Sequence, residues 1–425
     1  MYDTAEFKST VEISRKWDGI EISKELTEKI KNKDLNPRFI ALFSTIHYKN
    51  EFEKILDGLK KEFPDTPLIG GTVAGFMTQE GCYTRGTVIL TIDNPEMDVT
   101  IGIGHNTKKN PEKAAKELSD MLKKNMNDLE YSNKFLFILP SGGKVPSLTG
   151  TGTKRIYKSR MPSGMLSNLL KTSLKLYQKG LGREDKILDE LSKEMPDFGI
   201  IGGSSIDDNK MEDNFQFFND KVFSNSIVGL SLRMNVSILL DTQVAVERTE
   251  KIFNAKTAGE KYIISKIDDK PATKTFFEYL NWPEALLDER LYRRTFFYPI
   301  LFEKDGEIFP EVIGAIFGNS IICGFDVKSN NLCIGQSSRR ILNNVLKKTL
   351  SNILIKGTPK LSIIIYCSAL LETLGKDFFK VQEILKETYG SSPFLLIATG
   401  GEDFCIPNKI TKHSNETINT AAFSK

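Results

Sequence analysis

The chain has 425 residues, 40% of them hydrophobic and 27% charged, which excludes long disorder and supplies cores for roughly two to three domains. Its 58 basic and 55 acidic residues nearly balance at a net +3, so the overall field gives no reason to expect nucleic acid or an anionic membrane as a partner. The five cysteines are odd in number and lack C-x-x-C spacing, which argues against a disulfide framework or a zinc site and for reduced thiols in a cytoplasm.

Residues 1–17 are polar and mixed in charge, without the apolar core of a signal peptide. No apolar run approaches the roughly 20 residues that span a bilayer. A soluble, cytoplasmic protein is expected.

An internal repeat organises the rest of the chain. Residues 55–71 read ILDGLKKEFPDTPLIGG and residues 187–203 read ILDELSKEMPDFGIIGG, identical at eleven of seventeen positions at a constant offset of 132. In the first copy Ile55, Leu59 and Phe63 lie at helical spacing and Pro64 ends the helix; Ile187, Leu191, Met195 and Pro196 do the same in the second. A buried strand precedes each helix, FIALFS at 39–44 and FLFILP at 135–140, and a second strand comes after it, ending in Gly70–Gly71 or Gly202–Gly203. A helix between two fully apolar strands predicts parallel pairing.

Between the units, 87–104 and 226–241 alternate as antiparallel hairpins with one exposed face, and 320–335 does so near the C-terminus. Helices are expected at 111–124 and 338–353. The second copy holds an insertion at 143–180, with a Gly/Thr/Ser loop and an amphipathic helix near 165–177. Residues 280–293 read as one helix with Pro283 in its first turn. A third, looser copy has strands LSIIIYCS at 361–368 and PFLLIAT at 393–399, a helix at 381–389, and then Gly400–Gly401. The predicted fold class is mixed α/β: repeated strand-helix-strand units with antiparallel hairpins, in two or three related lobes. The charged, weakly periodic stretch 249–274 divides the chain into residues 1–248, with two copies, and 249–425, with the third.

These units resemble the FIST family of sensory domains. The resemblance rests on Gly70-Gly71-Thr72-Val73-Ala74-Gly75-Phe76, Gly202-Gly203-Ser204-Ser205-Ile206-Asp207-Asp208, Tyr366-Cys367-Ser368, Gly401-Glu402 and His413-Ser414-Asn415-Glu416-Thr417, in that order along the chain. It implies an N-terminal FIST module over 1–248 and a C-terminal one over 249–425. The chain departs from the family pattern at Phe76 and Leu370, where an acid and an arginine are usual, and at Ala398 and Thr399, where an aromatic is usual. The resemblance implies an intracellular small-molecule sensor, with an amino acid or a derivative as ligand and a signalling protein as partner.

The candidate ligand-binding residues are Gly70, Gly71, Thr72, Gly202, Gly203, Ser204, Ser205, Asp207, Cys367, Ser368, Gly401 and Glu402. They lie at or just beyond the ends of buried strands, where ligands of α/β sheets tend to bind, and glycine permits close approach of a ligand to the backbone. The plain alternative for each glycine pair is a tight turn, and for Asp207 and Asp208 a turn acid. Two adjacent acids offer too few oxygens for a hard cation, so no metal and no cofactor are expected. Cys367 with His413 frames an alternative reading as a nucleophilic enzyme, which requires a lowered thiol pKa and a base in contact. A third reading is an interaction protein whose pocket has decayed. The basic run Lys154, Arg155, Lys158, Arg160 reads as a solvated loop, and His47 and His105 as loop histidines.

Overall fold

The computed structural model describes residues 7–424 except for 146, 149–151, 159–162, 174–175 and 177–179. Arg160 and Tyr177 therefore lie outside the described residues.

The first copy runs β1 (Lys8–Ser14), α1 (Gly19–Asn32), β2 (Ile40–Ser44), α2 (Phe52–Glu62), β3 (Leu68–Thr72), a hairpin of β4 (Gly75–Thr78) and β5 (Gly81–Tyr83), and a return strand β6 (Thr87–Asp93). The second repeats this order with β7 (Asp98–His105), α3 (Pro111–Asn125) and β8 (Asn133–Pro140). Its insertion carries β9 (Ser147–Leu148), β10 (Gly152–Thr153), β11 (Ile156–Tyr157) and α4 (Ser163–Thr172). The copy continues through α5 (Glu184–Glu194), β12 (Gly199–Gly203), the hairpin β13 (Gln216–Phe218) and β14 (Lys221–Phe223), and β15 (Ser226–Met234).

The third copy opens with β16 (Ser237–Val244) and is then interrupted by a lobe. The lobe contains β17 (Glu247–Ala258), β18 (Glu260–Ile267), β19 (Lys270–Pro271), α6 (Ala272–Leu280), α7 (Leu291–Thr295), β20 (Ile300–Lys304), β21 (Glu307–Glu311), β22 (Ile313–Phe317), β23 (Ser320–Cys323) and β24 (Asn331–Gln336). The copy resumes with α8 (Arg339–Lys356), β25 (Pro359–Cys367), α9 (Ser368–Leu374), α10 (Phe378–Tyr389), β26 (Phe394–Thr399), the hairpin β27 (Glu402–Ile406) and β28 (Ile410–Ser414), and β29 (Thr417–Ser424). The division at 248/249 thus falls inside β17.

The three copies build three six-stranded sheets of one plan: β1-β6-β2-β3-β13-β14, β7-β15-β8-β12-β27-β28 and β16-β29-β25-β26-β4-β5. In each, a parallel pair forms the centre, as expected from the two-sided apolar strands (β2 with β3, β8 with β12, β25 with β26). Each hairpin leaves its own copy and extends the edge of another's sheet, so no sheet is complete without a neighbour.

The mixed α/β class holds, but the expected hairpins at 87–104, 226–241 and 320–335 are not hairpins. β6 pairs with β1 and β2 while β7 pairs with β15 in the next sheet. β15 and β16 likewise part to different sheets, and β23 and β24 pair with other strands of the lobe. The physical reason is burial on both faces: all nine residues of β15 are buried, so alternation there does not mark a wet face. One face of each sheet is covered by helices, α1 and α2 on the first, α3 and α5 on the second, α8 and α10 on the third. The other faces meet in a shared core, where Phe43 meets Phe137 edge-on at 5.6 Å and Phe135 meets Phe423 at 5.6 Å.

The expected helix at 280–293 is broken. α6 ends at Asn281, which takes a left-handed conformation (φ 53°), Pro283 comes next but one, and a single 3-10 turn, Glu284–Leu286, separates it from α7. The lobe's sheet is tied to the second copy by β11, which runs parallel to β22 and pairs Ile156 with Ile316 and Tyr157 with Phe317. Among the described residues, no helix is long and apolar enough to cross a membrane.

Candidate functional site

A cavity of about 100 Å³ lies where the lobe meets the carboxyl ends of β12, β25 and β26. Its floor comes from Cys367, Ser368 and Gly400 at strand ends of the third copy, together with Ile206 just beyond β12. Its roof comes from the lobe, chiefly Val312–Ala315, Phe317, Ile322 and Phe325, and from Tyr292 and Phe296 of α7 and its C-terminal end. The insertion supplies Gly143–Val145 and Arg155. The lining is mostly apolar with a few converging polar groups, the usual make-up of a small-molecule site.

Arg155 is a buried cation of this wall. Its guanidinium donates to the carbonyls of Asn209 (3.0 Å) and Lys210 (2.9 Å), and stacks over the Tyr292 ring at 3.7 Å from the centroid. No described carboxylate lies within ion-pair distance of it. Glu289 is spent elsewhere, accepting from the backbone amides of Arg155 (2.8 Å) and Ile156 (3.2 Å). Burial pulls the Arg155 pKa down, against the attraction of the Tyr292, Asp207 and Glu289 side chains.

Two acid–base groups complete the wall. Glu184 opens α5, is buried, and accepts from the Ser204 hydroxyl; burial holds its carboxyl above the usual range, with His413 pulling the other way. The His413 ring bonds Asp403 through Nδ1 (2.8 Å) and meets the Phe325 ring edge-on at 5.1 Å. Burial disfavours its charged form, but the Asp403 carboxylate and then Glu184 and Asp185 outweigh burial and push its pKa up to about 9.

The sequence candidates fall into three groups. Cys367 and Ser368 line the cavity. The Cys367 thiol is pushed well above its ordinary pKa by burial and by the Glu402 and Glu416 carboxylates, and among the described residues no hydrogen bond joins it to His413. Glu402 is buried without reaching the cavity wall; it accepts from the Thr417 amide (3.2 Å) and hydroxyl (3.0 Å), and burial pushes it up to about 8.

The glycines sit where copies meet. Gly70, Gly71, Gly202 and Gly203 are residues of β3 and β12 with paired strands on both sides. A Cβ on Gly70 would stand 1.7 Å from the Leu42 carbonyl oxygen, and one on Gly203 2.3 Å from the Thr399 hydroxyl. Gly401 is packed against the His413 ring in the same way. Thr72 exchanges hydrogen bonds with Phe215 of the second copy (2.9 and 3.0 Å), and Ser205 joins a buried network with Pro140, Asn214 and Gln216. Ser204 reaches the cavity indirectly, through Glu184. Asp207 accepts from the amides of Met211 and Glu212 (2.8 Å each) and of Asp213 (3.3 Å), the turn-acid arrangement, and Asp208 pairs with Lys210 at 2.8 Å. No cluster of described His, Cys, Asp or Glu residues is placed to hold a metal.

Among the wall residues that the sequence reading did not single out for a site are Arg155 as a buried group, Glu184 and Tyr292. Glu184 did leave a signal. At the repeat offset of 132 its counterpart is Phe52, a buried core residue, so a carboxylate replaces an aromatic at an interior position. Arg155 is hidden in its run because its neighbours Lys154 and Lys158 are exposed and only it turns inward.

A family model described as the FIST N domain matches residues 38–270. An uncharacterized protein of Methanocaldococcus jannaschii is 23% identical over 289 residues, 65% of this chain and 47% of that protein, so the chain spans about half the length of this curated relative. Among solved structures, a cyanuric acid hydrolase from A. caulinodans aligns over 99% of this chain and 100% of its own, with a TM-score of 0.39 and 7% identity.

Proposed function

The chain belongs to the FIST N family of small-ligand sensory domains, and from that premise we propose that it binds a small, amino-acid-like carboxylate in the cavity between the lobe and the three-sheet body. The observation that carries this reading is Arg155, a buried guanidinium on the cavity wall without a described carboxylate partner. Its Nη2 donors are taken by the Asn209 and Lys210 carbonyls, and its remaining donors are suited to a charge-assisted hydrogen bond with an anion. A ligand ammonium would draw Glu184 into its charged form, and the aromatic and aliphatic roof suits an apolar side chain. Cys367, Ser368 and the Gly400 turn close the floor. Because the roof belongs to the lobe and the floor to the body, occupancy favours one lobe position, and a partner protein would read that change.

The reading in which Cys367 acts as a nucleophile receives less support. Its thiol is held protonated, and the one described histidine on the cavity wall directs Nδ1 to Asp403.

Native mass spectrometry of the purified protein, combined with a thermal-shift screen of amino acids and their N-acyl and deaminated analogues, tests the proposal. A carboxylate ligand should raise the melting temperature of the wild type and not of Arg155→Lys. Stabilisation confined to compounds without a carboxylate, or equal stabilisation of the variant, would remove Arg155 from the site.

A further inference from the structure

A second feature stands apart from the cavity and does not depend on it. Beyond the end of β1, Arg85 lies 4.4 Å from the ring centroid of Trp17, and Arg15 lies 5.7 Å from that of Tyr83. Trp17 is 60% exposed, and Arg15, Lys16 and Arg85 are exposed beside it. None of these three cations forms an ion pair with a described residue. Both arginines also act on the buried Tyr48, whose ring lies 5.9 Å from that of Trp17, so the charges converge on one spot.

The repeat shows that this arrangement is particular to the first copy. Ser14 pairs with Thr87 and His105 pairs with Ser226, so β1 and β7 end in equivalent registers. Three residues on stand Trp17 and Lys108. Lys108 is buried and donates to the Ser141 hydroxyl and the Gly142 carbonyl, both at 3.0 Å, closing its strand end from within. The first copy instead faces outward with a stacked tryptophan and arginine. Local cation–π contacts explain part of this, at roughly 0.5–1 kcal/mol each at exposed sites. They do not require three exposed cations without a described ion-pair partner beside two neighbouring rings. Tryptophan and arginine together are among the residues most enriched where interfaces concentrate their binding energy.

We propose that Arg15, Lys16, Trp17 and Arg85 form a docking surface for an acidic segment of a protein partner, its carboxylates on the guanidinium edges and an apolar side chain on Trp17. The charge pattern selects a peptide over a nucleic acid. A single strand needs a continuous basic groove and a succession of stacking rings, whereas this run of cations is followed directly in the chain by Asp18, which pairs with Lys54 at 3.9 Å.

The test is fluorescence anisotropy on the full chain with a short fluorescein-labelled peptide of Asp, Glu and Leu, alongside a labelled oligothymidylate of equal charge. The peptide is expected to bind at low salt and to lose about tenfold in affinity in Arg15→Ala and in Trp17→Ala. Arg85→Lys, which keeps the charge and loses the fork, should fall between the wild type and Arg85→Ala. Melting temperatures of the variants, compared in parallel, separate loss of the surface from loss of the fold. No peptide binding, binding unchanged in the folded variants, or tighter binding of the oligothymidylate would each overturn the proposal.

Discussion

The Arg155 guanidinium lies 3.7 Å from the centre of the Tyr292 ring, so the insertion of the second copy and the lobe within the third, already joined by β11 and β22, also meet in a cation–π contact on the cavity wall. Arg155→Lys retains a positive charge and gives up both the planar stack and the pair of hydrogen bonds from Nη2 to the Asn209 and Lys210 carbonyls. The expected outcome is a loss of at least about tenfold in affinity for a carboxylate ligand, measured by calorimetry with whichever compound the thermal-shift screen identifies. Tyr292→Leu keeps an apolar wall and removes the stack. It should weaken binding less than Arg155→Lys, and the reverse order would mean that the ring, not the guanidinium, holds the ligand.

His413 makes stability depend on pH in a definite direction. Its folded pKa of about 9 lies above the ordinary value of 6.5, so its contribution is fully present below about pH 6.5 and is lost as pH rises through 9. Glu402, raised to about 8, acts in the same sense from its ordinary range upward. Lys108 acts oppositely: burial lowers it to about 7, so its charging penalty is relieved as pH rises. The difference between the wild type and His413→Gln therefore isolates the histidine. Urea midpoints at pH 6 and pH 9.5 should converge between the two proteins at the higher pH, and a constant gap would show that Asp403 does not charge the ring.

Every cysteine thiol is raised, led in each case by burial: Cys82 to about 12, Cys323 and Cys367 well above their ordinary value, and Cys333 and Cys405 in the same direction. Iodoacetamide near pH 7.5 should leave the native mass unchanged over the time in which it modifies all five thiols of the urea-unfolded chain. A rapid single adduct mapping to Cys367 would restore the nucleophile reading.

Much of this architecture was legible in the sequence, and the parts that were not have physical causes. The offset of 132 located α2 and α5, β3 and β12, because interior helices and two-sided apolar strands are determined by local pattern. The paths of β6 into β7 and of β15 into β16 were not legible, since a turn with Asn94 and Pro95 looks alike whether it closes a hairpin or carries the chain to another sheet. At the glycine pairs the close approach in the fold is made by protein: Leu42 of the neighbouring strand at Gly70 and Thr399 of another copy at Gly203. Glu184 was visible only as a mismatch with Phe52, and a single mismatch between repeats carries meaning only once both positions are known to be interior.

Gly70 supplies a sharp test of the parallel pair at the centre of the first sheet. A Cβ on Gly70 would stand 1.7 Å from the Leu42 carbonyl oxygen, and the residue holds φ at +152°, which side-chain-bearing residues rarely adopt. The Leu42 atom belongs to the backbone and cannot swing aside, so β2 and β3 would have to separate at the centre of their sheet. Gly70→Ala should cost more than about 3 kcal/mol, in the range reserved for disrupted cores. Gly314 on the cavity roof is the control. Its Cβ would meet only the Ile322 carbonyl at 3.6 Å, an ordinary contact. Gly314→Ala should leave the urea midpoint nearly unchanged while narrowing the cavity, so that ligand-induced stabilisation falls although the fold persists. A Gly70→Ala protein as stable as the wild type would mean that the two strands do not pair in the register described.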